Sequence, residues 1–459
     1  MTATTVAAYS YLRPSGSFPS PGPAGPRRLG GFALQTSGGP DAHPRFFDGS
    51  VTAPAATAAG LLAITAVALT RYDRTVTVGS CLDPVVTAGG DRLRFESFSG
   101  CTGVYARLDV LPSGLRGETF QAGTTNIDIN PPLQLALTRV RGDDPMQLCV
   151  GPDEVTVTTP DGPQVERKVP LPTRWLRGFA EAQVATSGFD LRAELGRAEV
   201  PALLSRLPRG RSALWLVPAG RTLRATAGPV PGALCLSGAD RLDALRPFLR
   251  HATGLRVYGP VVEAGQGPTA STWELSTAHV RLSLTLSPER ERGFSGEGER
   301  LARLLSEHAV EDGERLGLLL GASPQIDVDD LSRAADLPPE RVRSGLAVLA
   351  SAGRVGYDVA EAGYYHRDLP FAASAVARLN PRRAGAQALI DAGSVTLDGD
   401  RASVRGSLLV HQVRVRGDKI TCNCEWWQRH QGQRGPCKHA LAVQILRQAR
   451  GAGVGSLNR

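Results

Sequence analysis

The chain has no apolar run long enough to cross a membrane. Its most apolar stretch, 55–70, has sixteen residues and is interrupted by Gly60 and three threonines, whereas a spanning helix needs about 20 apolar residues. Residues 1–20 also lack the basic start and apolar core of a secretory signal. We therefore expect a cytoplasmic protein with no membrane partner. Stretch 55–70 is predicted to be a buried helix whose core positions are Leu61, Leu62, Ile64 and Val67.

The sequence also lacks the short motifs of several catalytic classes. It contains no glycine-rich phosphate loop, no Gly-x-Ser-x-Gly elbow and no His-Glu-x-x-His helix. Segments 95–105 and 123–130 carry Ser, Cys, Thr and Asp, but spacing places no base beside them. We therefore expect a non-enzymatic protein, with an enzyme hidden in residues 76–290 as the alternative.

Cysteine is sparse, and four of the seven cysteines are widely scattered. These four have no paired spacing and no nearby histidine, and they are Cys81, Cys101, Cys149 and Cys235. Without a secretory signal the thiols are expected to stay reduced, which argues against disulfides. We predict no second metal site among these four.

The remaining cysteines lie together with a histidine within eighteen residues. The ligand types are those of a closed tetrahedral zinc site, and the four residues are Cys422, Cys424, Cys437 and His439. Residues two apart on a strand point to the same face, so Cys422 and Cys424 can reach one ion. The alternative is a set of buried, reduced cysteines that need no metal.

The residues around these ligands predict a hairpin followed by a helix. Val413 to Arg416 and Lys419 to Thr421 alternate in polarity on either side of Gly417-Asp418, which is typical of a β-hairpin. The predicted inner positions are Val413, Val415, Ile420, Cys422 and Cys424, and the predicted outer positions are Arg414, Arg416, Lys419, Thr421 and Asn423. Segment 440–449 predicts a helix with an apolar stripe of Leu441, Ala442, Ile445 and Leu446.

Cys-x-Cys, a gap and Cys-x-His between a hairpin and a helix resemble the SWIM-type zinc finger, over about residues 405–450. The resemblance implies one structural Zn²⁺ held by Cys422, Cys424, Cys437 and His439. Proteins of this family often carry the finger beside ATPase or transposase domains, and the finger is generally taken to bind DNA or other proteins. Neither neighbouring domain is visible in this sequence.

The positive charge is concentrated in the same segment. The chain has 52 Lys plus Arg against 44 Asp plus Glu, and residues 405–459 hold ten basic and two acidic residues. The whole excess of +8 therefore lies in these 55 residues. Such a concentration suits nucleic-acid phosphates, while an acidic protein partner is the alternative, with the chain then an adaptor of an ATPase-associated or other multisubunit system. The candidate binding residues are Arg414, Arg416, Lys419, Trp427, Arg429, Arg434 and Lys438.

Length and patterning predict an α+β multidomain protein with a β-rich N-terminal region, an α+β middle, a winged-helix-like segment and a C-terminal β-hairpin/helix zinc finger. The predicted segments are an irregular 1–75 with one apolar helix, a β-rich 76–170, an α+β 171–297, a winged-helix-like 298–371, strands and the finger in 372–450, and a flexible tail, 451–459. In segment 298–371, two short helices and glycine-flanked strands resemble a winged helix-turn-helix. Its acidic residues Asp327, Asp329, Asp330 and Glu340 oppose DNA contact.

Overall fold

The computed structural model describes most of the chain between residues 45 and 455. The described residues are 45–70, 72, 84–120, 122–142, 144–171, 173–208, 210, 212–290, 293–294, 308–320, 325–369, 381–406, 409–416, 419–431 and 436–455. Predictions for residues 1–44, Cys81, the Gly417-Asp418 turn, Arg434 and residues 456–459 fall outside this set. No helix within the described residues is both long and apolar enough to cross a membrane.

An eight-stranded antiparallel sheet forms the centre of the fold. Its strand order is β10-β14-β15-β16-β4-β3-β2-β6. The strands are β2 (Val85–Gly89), β3 (Leu93–Phe98), β4 (Val104–Val110), β6 (Ala122–Asn126), β10 (Asp190–Gly196), β14 (Gly254–Gly259), β15 (Ser271–Ser276) and β16 (Val280–Leu286). Strands from the predicted 76–170 and 171–297 segments thus share one sheet, through pairing of β4 with β16. The domain boundaries stay predictions.

Two smaller antiparallel sheets accompany the central one. The first has the order β5-β1-β7-β8-β9, with β1 (Phe47–Val51), β5 (Leu115–Phe120), β7 (Gln147–Val150), β8 (Glu154–Thr159) and β9 (Gly162–Arg167). The second has the order β12-β11-β13, with β11 (Ala213–Ala219), β12 (Thr222–Thr226) and β13 (Leu234–Ser237).

The main core lies between one face of the central sheet and helix α1 (Pro54–Leu69). This confirms the predicted buried helix. Leu61, Ile64 and Val67 are buried as expected, whereas Leu62 is only half-buried and packs at the edge of the core. Ala and Thr on the other sides of α1 are also buried, since α2 (Pro131–Arg139) and a 3₁₀ helix (Ala239–Phe248) pack beside it. A second 3₁₀ turn covers Pro112–Gly114.

The opposite face of the central sheet is charged and yet buried. Strand β4 alternates apolar residues with Tyr105, Arg107 and Asp109, and all three are buried. They are covered by α3 (Thr173–Thr186) and by a hairpin of β17 (Val355–Asp358) and β18 (Gly363–His366). Helix α4 (Glu199–Arg206) follows β10.

The segment before this hairpin contains the two short helices predicted within residues 298–371, and a further helix that was not predicted precedes them. Helix α5 (Ala309–Leu319) precedes α6 (Val328–Ala335) and α7 (Pro339–Ser351), and the β17–β18 hairpin follows. The Asp327 side chain caps α6 by accepting from the backbone N–H groups of Asp329 and Asp330. Helix α7 packs against α3 and α5, and most of its residues from Val342 onward are buried. The helix that a winged helix would present to DNA therefore has little free surface.

The C-terminal unit is a four-stranded sheet backed by two helices. Its strand order is β19-β20-β21-β22, with β19 (Val395–Asp398), β20 (Arg401–Arg405), β21 (Val410–Arg416) and β22 (Lys419–Cys422). Helices α8 (Pro381–Asp391) and α10 (Lys438–Gly455) pack against each other on one side, and the short α9 (Glu425–His430) follows β22. Helix α10 runs past residue 449, its predicted end, into the segment expected to be a flexible tail.

Candidate metal centre

The hairpin of β21 and β22 has the two faces that alternation predicts. Val413 pairs with Cys422, and Arg416 pairs with Lys419 across the ladder. Val413 and Cys422 are buried, while Arg416 and Lys419 are exposed. Because successive side chains on a strand point to opposite faces, the ligand side and the basic side of the hairpin are separated by the sheet itself.

Strand β22 and helices α9 and α10 bring the four ligand residues together. Cys422 ends β22, and Cys424 precedes α9. Cys437 immediately precedes α10, and His439 lies in the first turn of that helix. All four side chains are buried, and one ligand atom from each lies within 4.8 Å of all the others. Within the described part of the chain, no other group of three or more Cys, His, Asp or Glu converges in this way.

The start of helix α10 holds the sulfur of Cys437 in a polar environment. The backbone N–H of Ala440 donates to Cys437 Sγ at 3.4 Å, so the sulfur caps the helix. The Cys422 thiol shares a hydrogen bond with Cys437, which raises the pKa of Cys422 and lowers the pKa of Cys437. A helix N-terminus also favours a thiolate. Cys437 is therefore the sulfur that most readily becomes a thiolate, whereas burial raises the pKa of Cys424, so a bound cation is needed to hold all three sulfurs as thiolates.

The donor set fits a structural Zn²⁺. Tetrahedral zinc with bonds of about 2.0–2.3 Å requires its ligand atoms to lie roughly 3.3–3.8 Å apart. His439 Nδ1 lies 4.0 Å from Cys422 Sγ, and all four ligand atoms lie within 4.8 Å of one another, so the separations exceed this range by about 1 Å or less. His439 Nε2 is buried and has no hydrogen-bond partner among the described residues. Three sulfurs and one imidazole fill all four positions of such an ion, which leaves no position for a substrate or an activated water.

Two residues outside the predicted ligand set support the cluster. The ring of His411 stacks on His439 with centroids 4.0 Å apart, and partial burial together with His439 lowers the pKa of His411. The Arg382 guanidinium lies 4.9 Å from the centre of the Trp426 ring and donates to the Pro436 carbonyl at 3.2 Å. Sequence reasoning did not single out Arg382, because it precedes the hairpin by about thirty residues and no local pattern connects the two.

The predicted binding residues are spread over more than one surface. Arg414, Arg416 and Lys419 share the outer face of the sheet. Arg429 is exposed on α9 and forms an ion pair with Glu425. Lys438 lies on the helical side of the unit, where its aliphatic stem approaches Gly385 of α8. Arg434 lies outside the described residues.

The two tryptophans contribute to the core of the finger. Trp426 and Trp427 are both half-buried and pack against the cluster that contains Val413, Cys422 and Cys437. The sequence predicted one packed indole and one at least partly exposed. A unit this small needs the apolar area that the indoles supply.

Strand β20 adds basic residues that sequence reasoning missed. Arg401 and Arg405 are exposed, while Ala402 and Val404 between them are buried. Arg401 pairs directly with Arg414 of β21. The alternation of 401–405 is itself a strand signal, but nothing in the sequence places this strand beside the hairpin.

Comparison with known proteins identifies the C-terminal segment. Residues 411–445 match the family model described as "SWIM zinc finger". No curated protein matches the chain. Among solved structures, Proliferating Cellular Nuclear Antigen from Entamoeba histolytica aligns with 11% identity over 54% of this chain and 100% of that chain, with a TM-score of 0.34. A TM-score this low does not establish a common fold.

Proposed function

We propose that this chain, which carries a SWIM zinc finger at residues 411–445, is a non-enzymatic cytoplasmic protein that binds nucleic acid through the basic outer face of that finger. The zinc is structural in this proposal. It joins the end of β22 to the start of α10 and so fixes the hairpin against the helix. Recognition belongs to the side chains on the other face of the sheet.

The observation that carries this proposal is the separation of the two faces. Arg414, Arg416 and Lys419 are exposed on the side away from the ligands. No carboxylate of the described residues forms an ion pair with any of the three. Free cations on an ordered surface can displace the counterions of a phosphate backbone, and this displacement favours binding at low salt.

The charge distribution of the chain supports the same partner. Residues upstream of 405 are balanced, with 42 basic and 42 acidic residues, so the excess of +8 falls in the finger and its flanks. Three thiolates and one Zn²⁺ change the local charge by only about −1, which leaves the unit basic. A field of this sign also increases the association rate with polyanions.

The test is a salt titration of binding by the full zinc-loaded chain. Fluorescence anisotropy of a labelled nucleic acid measures affinity at a series of KCl concentrations for wild type and for R414A/R416A/K419A. Each lost phosphate contact reduces the magnitude of the slope of log affinity against log salt by about 0.9. The slope of the triple variant should therefore be smaller in magnitude than that of wild type by about 3. Zinc content and melting temperature serve as fold controls.

The opposite result assigns the basic face to a different partner. If wild type binds no nucleic acid at low salt, or if the triple variant binds as wild type does, the proposal is wrong. The remaining candidate is then an acidic surface on another protein, with this chain as an adaptor of an ATPase-associated or other multisubunit system. A pull-down with and without nuclease treatment separates the two partners, because only a nucleic-acid bridge is nuclease-sensitive.

A further inference from the structure

The basic face is wider than the hairpin that the family model covers. Strand β20 lies beside β21 and precedes residue 411, the start of the matched segment. Its exposed Arg401 and Arg405 project to the same side as Arg414, because Arg401 and Arg414 are direct partners in the ladder. Five basic side chains therefore share one face: Arg401, Arg405, Arg414, Arg416 and Lys419.

Two pairs of these cations are direct neighbours across strands. Arg401 is opposite Arg414, and Arg416 is opposite Lys419. Like charges directly opposite each other destabilise a sheet, and no ion pair with a described carboxylate relieves either pair. Asp398 of β19 lies directly opposite Arg401 on the same face, but no ion pair joins the two side chains, and Asp400 is directed to Arg447 of α10 at 3.8 Å. A bound polyanion would relieve this repulsion.

Among the described residues of strands β19–β22, the outer face carries no aromatic side chain. Its members on the four strands and just beyond β22 are Thr396, Asp398, Arg401, Ser403, Arg405, Val410, Gln412, Arg414, Arg416, Lys419, Thr421 and Asn423. Proteins that hold single strands combine basic grooves with aromatic rings on which bases stack. Trp426 and Trp427 cannot serve here, because they pack into the core of the finger. The chemistry of this face is phosphate contact without base stacking.

The width of the sheet excludes entry into a groove. Four strands at a spacing of about 4.8 Å make the face roughly 14 Å wide before side chains are added. The major groove of B-DNA is about 12 Å wide and admits a helix or a two-stranded ribbon. A four-stranded face must therefore lie across the sugar-phosphate backbones. Contacts to the backbone position a protein but carry no sequence information.

We infer that the outer face of β19–β22 binds the phosphate backbones of double-stranded nucleic acid without reading its sequence, and that Arg401 and Arg405 supply contacts from outside the SWIM segment. This inference rests on the proposed function and specifies its partner. Ser403, Gln412 and Thr421 lie between the cations and can donate hydrogen bonds to phosphate oxygens.

The test uses the full zinc-loaded chain and three labelled probes of equal length. Two are duplexes of unrelated sequence and the third is a single strand. The two duplexes should bind with affinities equal within about twofold, and both should bind roughly tenfold more tightly than the single strand, because stacking surfaces are absent. R401A/R405A should weaken duplex binding by roughly tenfold near 100 mM KCl and reduce the salt slope by about 2.

Matched controls separate a local effect from a change in net charge. R206A/R224A removes two exposed arginines from α4 and β12 and should leave affinity and slope unchanged. R401K/R405K keeps both charges and should restore most of the affinity. Zinc content and melting temperature must match wild type. If R401A/R405A is unstable, R401Q/R405Q replaces it with side chains that keep the aliphatic stems.

The outcomes distinguish this inference from the proposal on which it rests. If R414A/R416A/K419A weakens binding but R401A/R405A does not, the proposed function stands, and the inference that Arg401 and Arg405 contact the duplex is wrong. Tighter binding to the single strand, or a strong preference between the duplexes, overturns the inference while nucleic-acid binding remains. If wild type binds none of the three probes, both fail.

Discussion

The Arg367 guanidinium donates a hydrogen bond of 2.7 Å to the carboxylate of Glu96, a residue 271 positions earlier in the chain. Both side chains are essentially inaccessible to solvent. The same Glu96 oxygen accepts from the Tyr365 hydroxyl at 2.8 Å. Arg367 just follows β18 of the hairpin, and Glu96 lies on β3 of the central sheet, so this contact joins two elements far apart in sequence.

A second group of charges reinforces the same contact. Asp358 of β17 lies 2.9 Å from the Arg107 guanidinium and 2.8 Å from that of Arg281. Arg107 also donates to the Tyr357 carbonyl at 2.9 Å. Burying charges costs free energy unless they are paired, and here each hairpin charge meets its complement on the sheet. The β17–β18 hairpin is thus fixed by complementary charges as well as by apolar contact.

Removing one partner of the Glu96–Arg367 pair should destabilise the protein strongly. Glu96→Ala leaves the Arg367 charge buried without its carboxylate, and the expected loss in the free energy of unfolding is about 3–5 kcal/mol. Replacing both residues, as in E96L/R367M, should recover a large part of that loss because no unpaired charge remains. Urea unfolding measures both variants. If Glu96→Ala were as stable as wild type, the Glu96–Arg367 pair would not be needed for stability.

Glu274 should make stability depend on pH above its unfolded pKa. Burial raises the pKa of this carboxyl from 4.5 to about 7, so between these values the folded state binds more protons than the unfolded state. The contribution of Glu274 to stability is therefore complete below about pH 4.5 and is lost as the pH rises through about 7. Keeping the ionised Glu274 side chain buried at pH 8 should lower the free energy of unfolding by about 3 kcal/mol, since one pKa unit corresponds to about 1.4 kcal/mol.

The control for this pH dependence is Glu274→Gln. The amide keeps a similar shape and can still accept from the Tyr258 hydroxyl, which lies 3.4 Å from Glu274 Oε1. Urea midpoints measured from pH 5 to pH 8 should decline less steeply in the variant, which should also be the more stable protein at pH 8. Identical slopes in the two proteins would show that Glu274 is not the responsible group.

Cys437→Ser should remove the metal and the order of the finger. Wild type should hold one equivalent of zinc, and the variant none, because a closed site loses one of its four ligands. Structural zinc contributes on the order of 10 kcal/mol to such modules, so amide exchange in β21, β22 and α10 should become fast. Cys149→Ser, outside the cluster, is the matched control. A folded Cys437→Ser variant with full zinc would disprove the assignment.

Arg382→Ala should speed the loss of zinc without preventing its binding. The substitution removes the cation–π contact with Trp426 and the hydrogen bond to the Pro436 carbonyl. Together these are expected to slow opening of the site about 3- to 10-fold. Release to a chromogenic chelator measures the rate. Gln387→Ala, also on α8 and exposed, should release zinc at the wild-type rate, and equal rates for all three proteins would rule out the supporting role.

The ligands and the hairpin were predictable because their information is local. Period-two alternation assigns Val413 and Cys422 to one face and Arg414 to the other, and the structure agrees. The ligand spacing within eighteen residues needs no knowledge of the rest of the chain. Helix α1 was predictable for the same reason, since one continuous apolar stretch encodes it.

The burial of the charged sheet face was not predictable. Alternation in Val104–Val110 is typical of a strand with one solvated face, yet Arg107 and Asp109 are buried. Their cover comes from residues about 250 positions later, and its complementarity appears only when the chain is folded. Strand β20 illustrates the same limit, because its pattern is visible but its pairing with β21 is not.

The role of the metal in organising the binding face is tested most directly by measuring duplex binding of the full chain before zinc removal, after it, and after zinc is restored. Chelation should abolish salt-dependent binding, and one equivalent of Zn²⁺ should restore it, because the metal would order the strands that carry Arg414, Arg416 and Lys419. Wild-type affinity in the fully zinc-depleted protein would contradict the claim that the metal organises the binding face.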